Sequence, residues 1–169
     1  MATLLPDAEH LLAQLATSVA PHFGEDYALV GIRTGGAWVA ERLHALLDAR
    51  LPLGTLDISF YRDDFSRIGL HPAVEPSNIP FDVEGRHILL VDDVLYTGRT
   101  VRAAMNELFD YGRPAAIDLA VLVDRGGREL PIAARYAGAS LPLPDNQNLQ
   151  LKRLDDGKLT LSLHGIGGA

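Results

Sequence analysis

Ile88-Leu89-Leu90-Val91-Asp92-Asp93-Val94-Leu95-Tyr96-Thr97-Gly98-Arg99-Thr100 decides the fold. Four apolar residues run straight into two adjacent carboxylates. A turn rich in small and hydroxylated residues follows, and then a helical pattern over Arg99 to Tyr111. A short apolar run bounded by turn signals reads as a fully buried strand. Ile88 to Asp93 is therefore taken as a central strand whose far end holds charge.

The flanking segments repeat the alternation of strand and helix. Asp7 to Ala20 reads as a helix, with Asp7 as a cap and Leu11, Leu12, Leu15 and Val19 at helical spacing. Tyr27 to Ile32 is a short buried strand, Thr34-Gly35-Gly36 a tight turn, and Ala37 to Ala49 a second helix with Trp38 among its core candidates. Leu53 to Tyr61 alternates as a strand. Arg62 to Pro80 carries Gly69, Pro72, Pro76 and Pro80 and shows no clear period. A loop of that length is commonly a lid or a binding arm. Ala115 to Asp124 is another strand, and Arg125-Gly126-Gly127 a turn. Shorter pieces follow near Tyr136, Leu149 to Leu154 and Lys158 to Leu163, with Asp156-Gly157 as a hairpin signal. Residues 165–169 are expected to fray. The whole, residues 1–169, reads as one α/β domain. It is a mainly parallel five-stranded sheet flanked by helices, with a small hood built from the long loop and the terminal strands.

Bulk properties remove several function classes. The 169 residues contain no cysteine, so disulfides, thiolate metal sites and a cysteine nucleophile are excluded. No basic leader or membrane-length apolar run is seen, and a cytoplasmic protein is expected. With 15 Lys+Arg against 22 Asp+Glu, the net charge is −7, which disfavours a whole-molecule field for nucleic acid. No Lys or Arg precedes Arg33, and the only lysines are Lys152 and Lys158. An anion would be held by arginines and backbone amides. The six histidines show no metal spacing.

Ligands of open parallel sheets bind beyond the carboxyl ends of the strands. Asp92 and Asp93 lie at such an end. One Asp alone reads equally well as a cap or a solvated turn, but two together repel and call for compensation by hydroxyl donors or Mg²⁺. The turn after them can present amides at a helix N-terminus, where the dipole favours an anion. Thr97 and Thr100 add hydroxyls, and Gly98 permits close approach. Neither a Walker loop nor a dinucleotide fingerprint is present. Arg33-Thr34-Gly35-Gly36 also lies between strand and helix. Alone it is as readily an ordinary turn. Paired with the first, it gives two anion sites flanking two acids, a layout suited to a ribose with phosphate at one end and pyrophosphate at the other.

Ile88 to Thr100 resembles the thirteen-residue signature of type I phosphoribosyltransferases, which bind 5-phosphoribosyl-1-pyrophosphate (PRPP). The resemblance implies that Asp92 and Asp93 are the catalytic acids on the ribose hydroxyls. It implies that Leu95, Tyr96, Thr97, Gly98, Arg99 and Thr100 hold the 5′-phosphate, and that Arg33, Thr34, Gly35 and Gly36 hold pyrophosphate. Mg²⁺ would arrive mainly with PRPP, near Asp92. Residues 62–80, entered through Tyr61, Arg62 and Asp63, would be the mobile active-site loop.

Purine-salvage members place a carboxylate where this chain has Tyr96, which argues against a purine. The chain is most similar to the PyrR type, regulators of pyrimidine operons with uracil phosphoribosyltransferase activity. Residues 57–64, Val101-Arg102-Ala103-Ala104 and residues 121–132 carry that similarity. It implies uracil binding around Val123, Asp124 and Arg125, and a homodimer or larger homo-oligomer. Two alternatives are weighed: an RNA-binding attenuation protein with vestigial catalysis, and a purine phosphoribosyltransferase. RNA-binding relatives use basic residues on the first helix and around the Arg128 loop. Here the first helix has none, and Gly127 and Ala133 stand where relatives carry basic side chains. Arg125, Arg128 and Arg135 remain. Weakened RNA binding is expected, because phosphate contacts dominate RNA affinity. A response-regulator receiver fits poorly, since no lysine occurs before the last twenty residues.

Overall fold

A computed structural model describes residues 4–48, 50–58 and 77–165. Tyr61, Arg62, Asp63 and most of the long loop lie outside the described residues, as do 166–169. Five strands form one parallel sheet in the order β2-β1-β3-β4-β5. They are β1 (Tyr27–Ile32), β2 (Leu53–Leu56), β3 (His87–Leu95), β4 (Ala116–Asp124) and β5 (Tyr136–Ser140). The described helices are α1 (Ala8–Val19), α2 (Gly35–Leu47) and α3 (Arg99–Tyr111). Two antiparallel strands, β6 (Gln147–Arg153) and β7 (Leu159–Gly165), form a separate ribbon.

Helices on both faces bury the sheet from both sides, so its central strands are continuously apolar rather than alternating. All six residues of β1 are buried. The period of two still sorts them. Leu29, Leu89, Val91 and Leu122 face α1, α2 and the ribbon. Ala28, Val30, Leu90 and Val121 face Val101, Ala104 and Leu108 of α3. Asp7 caps α1 through its carboxylate, which accepts from the Glu9 amide at 3.2 Å.

Several boundaries differ from the sequence reading. The central strand runs on to Leu95, because β4 continues beside it and pairs Val94 with Val123 and Leu95 with Asp124. Helix α2 begins at Gly35, two residues earlier than expected, so both glycines of the turn lie in its first turn. Strand β2 ends at Leu56. Asn78, read as loop, pairs through both backbone bonds with Thr55, each 2.8 Å.

The terminal ribbon is joined to the core. Its Asp156-Gly157 turn is as expected, with Gly157 at φ +88°. Yet Leu149, Leu151, Leu159 and Leu161 are buried in the same cluster as Leu11, Leu12 and Leu15. Glu9 links three elements: it accepts two hydrogen bonds from Arg42 of α2, at 2.5 and 3.1 Å, and one from the Leu159 amide at 2.8 Å. Among the described residues, no helix is long and apolar enough to cross a membrane.

Candidate active site

The carboxyl edge of the sheet opens into a cleft of about 250 Å³. Arg33, Thr34 and Gly35 line one side, Asp92, Asp93 and Val94 the floor, and Trp38 with Leu149, Gln150 and Leu151 the rest. Two sequence-predicted groups, the first turn and the acid pair, thus share one space. Their closeness depends on missing side chains. A Cβ at Gly35 would overlap the Asp93 carboxylate, and one at Gly36 would stand 2.7 Å from the Val91 carbonyl oxygen. Only glycine lets the first turn of α2 lie directly against the acids.

Asp92 is 5% exposed, and its Oδ1 accepts from the Asp93 amide at 2.8 Å. Asp93 Oδ1 accepts from the Val94 amide, also at 2.8 Å. These bonds to following amides fix both carboxylates near the carboxyl end of β3. The Arg33 guanidinium donates to Thr55 Oγ1 at 3.2 Å, and the Arg33–Thr34 peptide bond is cis.

Helices α2 and α3 carry no side-chain cap and no acid in the first turn, whereas α1 has both. Uncapped first-turn amides and the helix dipole together favour an anion. At α3 the turn is shaped by Gly98, whose φ of +95° suits glycine. The Arg99 amide donates to Thr97 Oγ1 at 3.2 Å.

The second turn is held from outside by residues 124–132. The Thr97 carbonyl accepts from the amides of Glu129, 2.9 Å, and Leu130, 3.2 Å. Arg128 donates to the carbonyls of Tyr96 and Ile132, at 2.8 and 2.9 Å, and to the Asp124 carboxylate at 2.6 Å. Burial pushes the Asp124 carboxyl up, but the bonds from Arg128 and the Gly126 amide outweigh it and leave it below its ordinary value. Tyr96 donates its hydroxyl to Asp145 at 2.9 Å, which raises the phenol above its usual range.

The side chains of three expected site residues are buried. Leu95 is the last residue of β3 and its side chain is 1% exposed in the core, so the turn itself starts at Tyr96. Val123 is fully buried. Arg125, expected near a base, is 3% exposed and directs its guanidinium to the carbonyls of Gln147 and Pro144. The sequence reading missed Leu149, Gln150 and Leu151 as cleft residues. Their only local signal was alternation in a hairpin, which says nothing of what the hairpin covers. Trp38, read as core, is partly buried and also lines the cleft.

Comparison with known proteins adds a family. Residues 2–148 match the phosphoribosyl transferase domain. The chain is 57% identical over 147 residues to a protein of Nitrosococcus oceani named bifunctional protein PyrR, covering 83% of each chain. It is 53% identical over 151 residues to the bifunctional protein PyrR of Pseudomonas savastanoi pv. phaseolicola, covering 87% of this chain and 89% of the relative. The chain belongs to the type I phosphoribosyltransferase family and is of the PyrR type. Solved phosphoribosyltransferases share its fold at low identity. A hypoxanthine-guanine phosphoribosyltransferase of Bacillus anthracis superposes with a TM-score of 0.66 at 21% identity, over 85% of this chain and 86% of that one. A hypoxanthine phosphoribosyltransferase of Trypanosoma cruzi gives 0.65 at 21% identity, over 94% and 93%.

Phosphoribosyltransferases of this family generally use Mg²⁺ with PRPP. The donor set here fits that use. Among the described residues no group of three or more His, Asp or Glu side chains could cage a metal ion. Two carboxylates in an open polar cleft suit Mg²⁺, which keeps several waters and commonly takes one or two carboxylates plus substrate phosphates.

Proposed function

We propose that this phosphoribosyltransferase transfers the phosphoribosyl group of PRPP to uracil, giving UMP and pyrophosphate, and that it has a secondary, weak role in regulating pyrimidine genes through RNA. The observation that carries the reading is the shared cleft. It joins an uncapped helix N-terminus at Arg33–Gly35 to Asp92 and Asp93 at the carboxyl edge of β3. Relatives at 53–57% identity bear the name bifunctional protein PyrR. A pyrimidine role belongs in the cytoplasm. The reading includes a homodimer or larger homo-oligomer, which sedimentation velocity measures directly.

In this reading the amides of Gly35 and Gly36 and the Arg33 guanidinium bind pyrophosphate. The turn of residues 96–100 binds the 5′-phosphate through amides and the hydroxyls of Thr97 and Thr100. Asp92 and Asp93 accept hydrogen bonds from the ribose hydroxyls between them. The reaction displaces pyrophosphate from the anomeric carbon as the uracil nitrogen attacks and loses its proton to solvent, with positive charge developing on the ribose. Two fixed carboxylates next to that charge stabilise it, and anchoring at both ends of the phosphosugar removes orientational freedom before reaction. Asp92 would hold Mg²⁺ that arrives with PRPP, and the ion would supply positive charge for the leaving pyrophosphate. No protein nucleophile is required. Val123 and Asp124 end β4 at the carboxyl edge of the sheet, where uracil would sit.

The weak RNA role rests on three arginines. Arg125 is buried, Arg128 spends its guanidinium on Tyr96, Asp124 and Ile132, and Arg135 pairs with Asp118 at 2.9 Å. Arg125 and Arg128 are not freely presented to a phosphate, and Arg135 is half-exposed but shared with Asp118. A filter-binding titration with pyrimidine-operon leader RNA and UMP tests this. UMP-dependent retention at nanomolar protein would overturn the weak assignment.

The decisive assay presents labelled PRPP with uracil, orotate, hypoxanthine or guanine. Pyrophosphate release is expected with uracil. Release with a purine only would remove the pyrimidine assignment.

A further inference from the structure

Arg125 is a buried cation, and among the described residues no carboxylate forms an ion pair with it. Burying a charge this way is costly unless its surroundings compensate. Three groups do so. The carbonyl of Gln147 accepts at 2.6 Å and that of Pro144 at 3.0 Å, both on the crossing into β6. The ring of Tyr96 lies over the guanidinium, 4.0 Å from its carbon to the ring centroid. A desolvated guanidinium on an aromatic face is a strong cation–π contact. Tyr96 is the first residue of the turn expected to take the 5′-phosphate. The far end of its side chain donates to Asp145, between the two carbonyls that Arg125 holds. Gly127 also lies close: a Cβ there would stand 2.5 Å from the ring.

We propose that Arg125 and Tyr96 form a clasp that positions the turn of residues 96–100 for a phosphate monoester, making Arg125 a positioning residue rather than a reader of the base. The clasp ties that turn to the crossing at residues 144–147, from which β6 runs on to Leu149–Leu151 in the wall of the neighbouring cleft. The buried positive charge lies against the ring of Tyr96, the first residue of the turn, and with no carboxylate paired to it among the described residues it favours an incoming dianion. The proposal deepens the function reading above and rests on it. It separates the two anion sites: the clasp touches the turn of residues 96–100 and no residue of the turn at 33–36.

Calorimetric titration of the full chain with ribose 5-phosphate, and separately with pyrophosphate, tests this. Arg125→Lys keeps the charge but loses the planar fork, and is expected to weaken ribose 5-phosphate by about tenfold. Tyr96→Leu removes the ring and is expected to do about the same, while Asp145→Ala, at an exposed position, costs about twofold. Pyrophosphate affinity stays within about twofold in all three. Tyr96→Leu and Asp145→Ala leave the buried guanidinium in place, so they report even if Arg125→Lys fails to fold. Unchanged ribose 5-phosphate affinity in Tyr96→Leu would overturn the clasp, as would an equal loss of pyrophosphate affinity. If the unaltered chain binds no ribose 5-phosphate, the function reading falls and the clasp with it.

Discussion

The turn at residues 33–36 and the turn at residues 96–100 each lead from a buried parallel strand into a 13-residue helix with no side-chain cap. Their supports differ. The first is fixed by close backbone packing: Gly31, Gly35 and Gly36 bring α2 so near that a Cβ at Gly31 would stand 2.7 Å from the Ala37 Cα. The second is held by a distant segment, through the amides of Glu129 and Leu130 and the side chains of Arg125 and Arg128. A glycine contact has almost no tolerance, since any added atom overlaps. A hydrogen-bonded clasp yields by degrees. The first turn is therefore expected to fail abruptly on substitution of its glycines, and the second gradually on substitution of its arginine supports.

The most severe break removes the charge between the turns. Asp92→Asn combined with Asp93→Asn is expected to abolish transfer in the PRPP assay while circular dichroism shows the fold intact. Full activity in that double variant would sink the ribose role. Next comes Gly35→Ala, whose Cβ meets the Asp93 carboxylate. Displacing reacting groups by about an ångström can cost about a hundredfold, and a loss of that size in kcat/KM is expected.

Arg128→Ala sharpens the contrast. It removes bonds to two carbonyls and to Asp124, and should cost about 2–3 kcal/mol in urea unfolding, with ribose 5-phosphate affinity falling and pyrophosphate affinity unaffected. The Asp124 carboxyl is held below its unfolded value, so its contribution is present above that unfolded value and is lost as pH falls through the folded one. Without Arg128, the acid-dependent loss of stability below about pH 4 should become shallower.

The smallest effect lies away from both turns. Glu9 is held low first by its hydrogen bond from Arg42, against a smaller opposing effect of burial, and the sign is the same: stabilising at neutral pH, lost on acidification. The pair is 39% and 29% exposed, so Glu9→Gln should cost only about 1 kcal/mol or less, with both anion affinities unchanged.

Local sequence was enough for the parallel core, the capped α1, the two strand–helix turns and the acid pair. Each is encoded within a few neighbouring residues, through apolar runs, glycines and carboxylates at a strand end. Three things depended on tertiary structure. The destination of Leu149–Leu151 follows from which helix the ribbon packs against, a contact more than a hundred residues distant in sequence. The role of Arg125 follows from burial: the same Asp-Arg-Gly-Gly turn would offer an exposed guanidinium if residues 144–147 did not cross over it. The reach of β3 to Leu95 follows from the length of its neighbour, because backbone groups continue a ladder for as long as partners are offered. Residue type and spacing specify which chemical groups are present. Only the folded chain decides which of them are already spent on one another and which are left for a ligand.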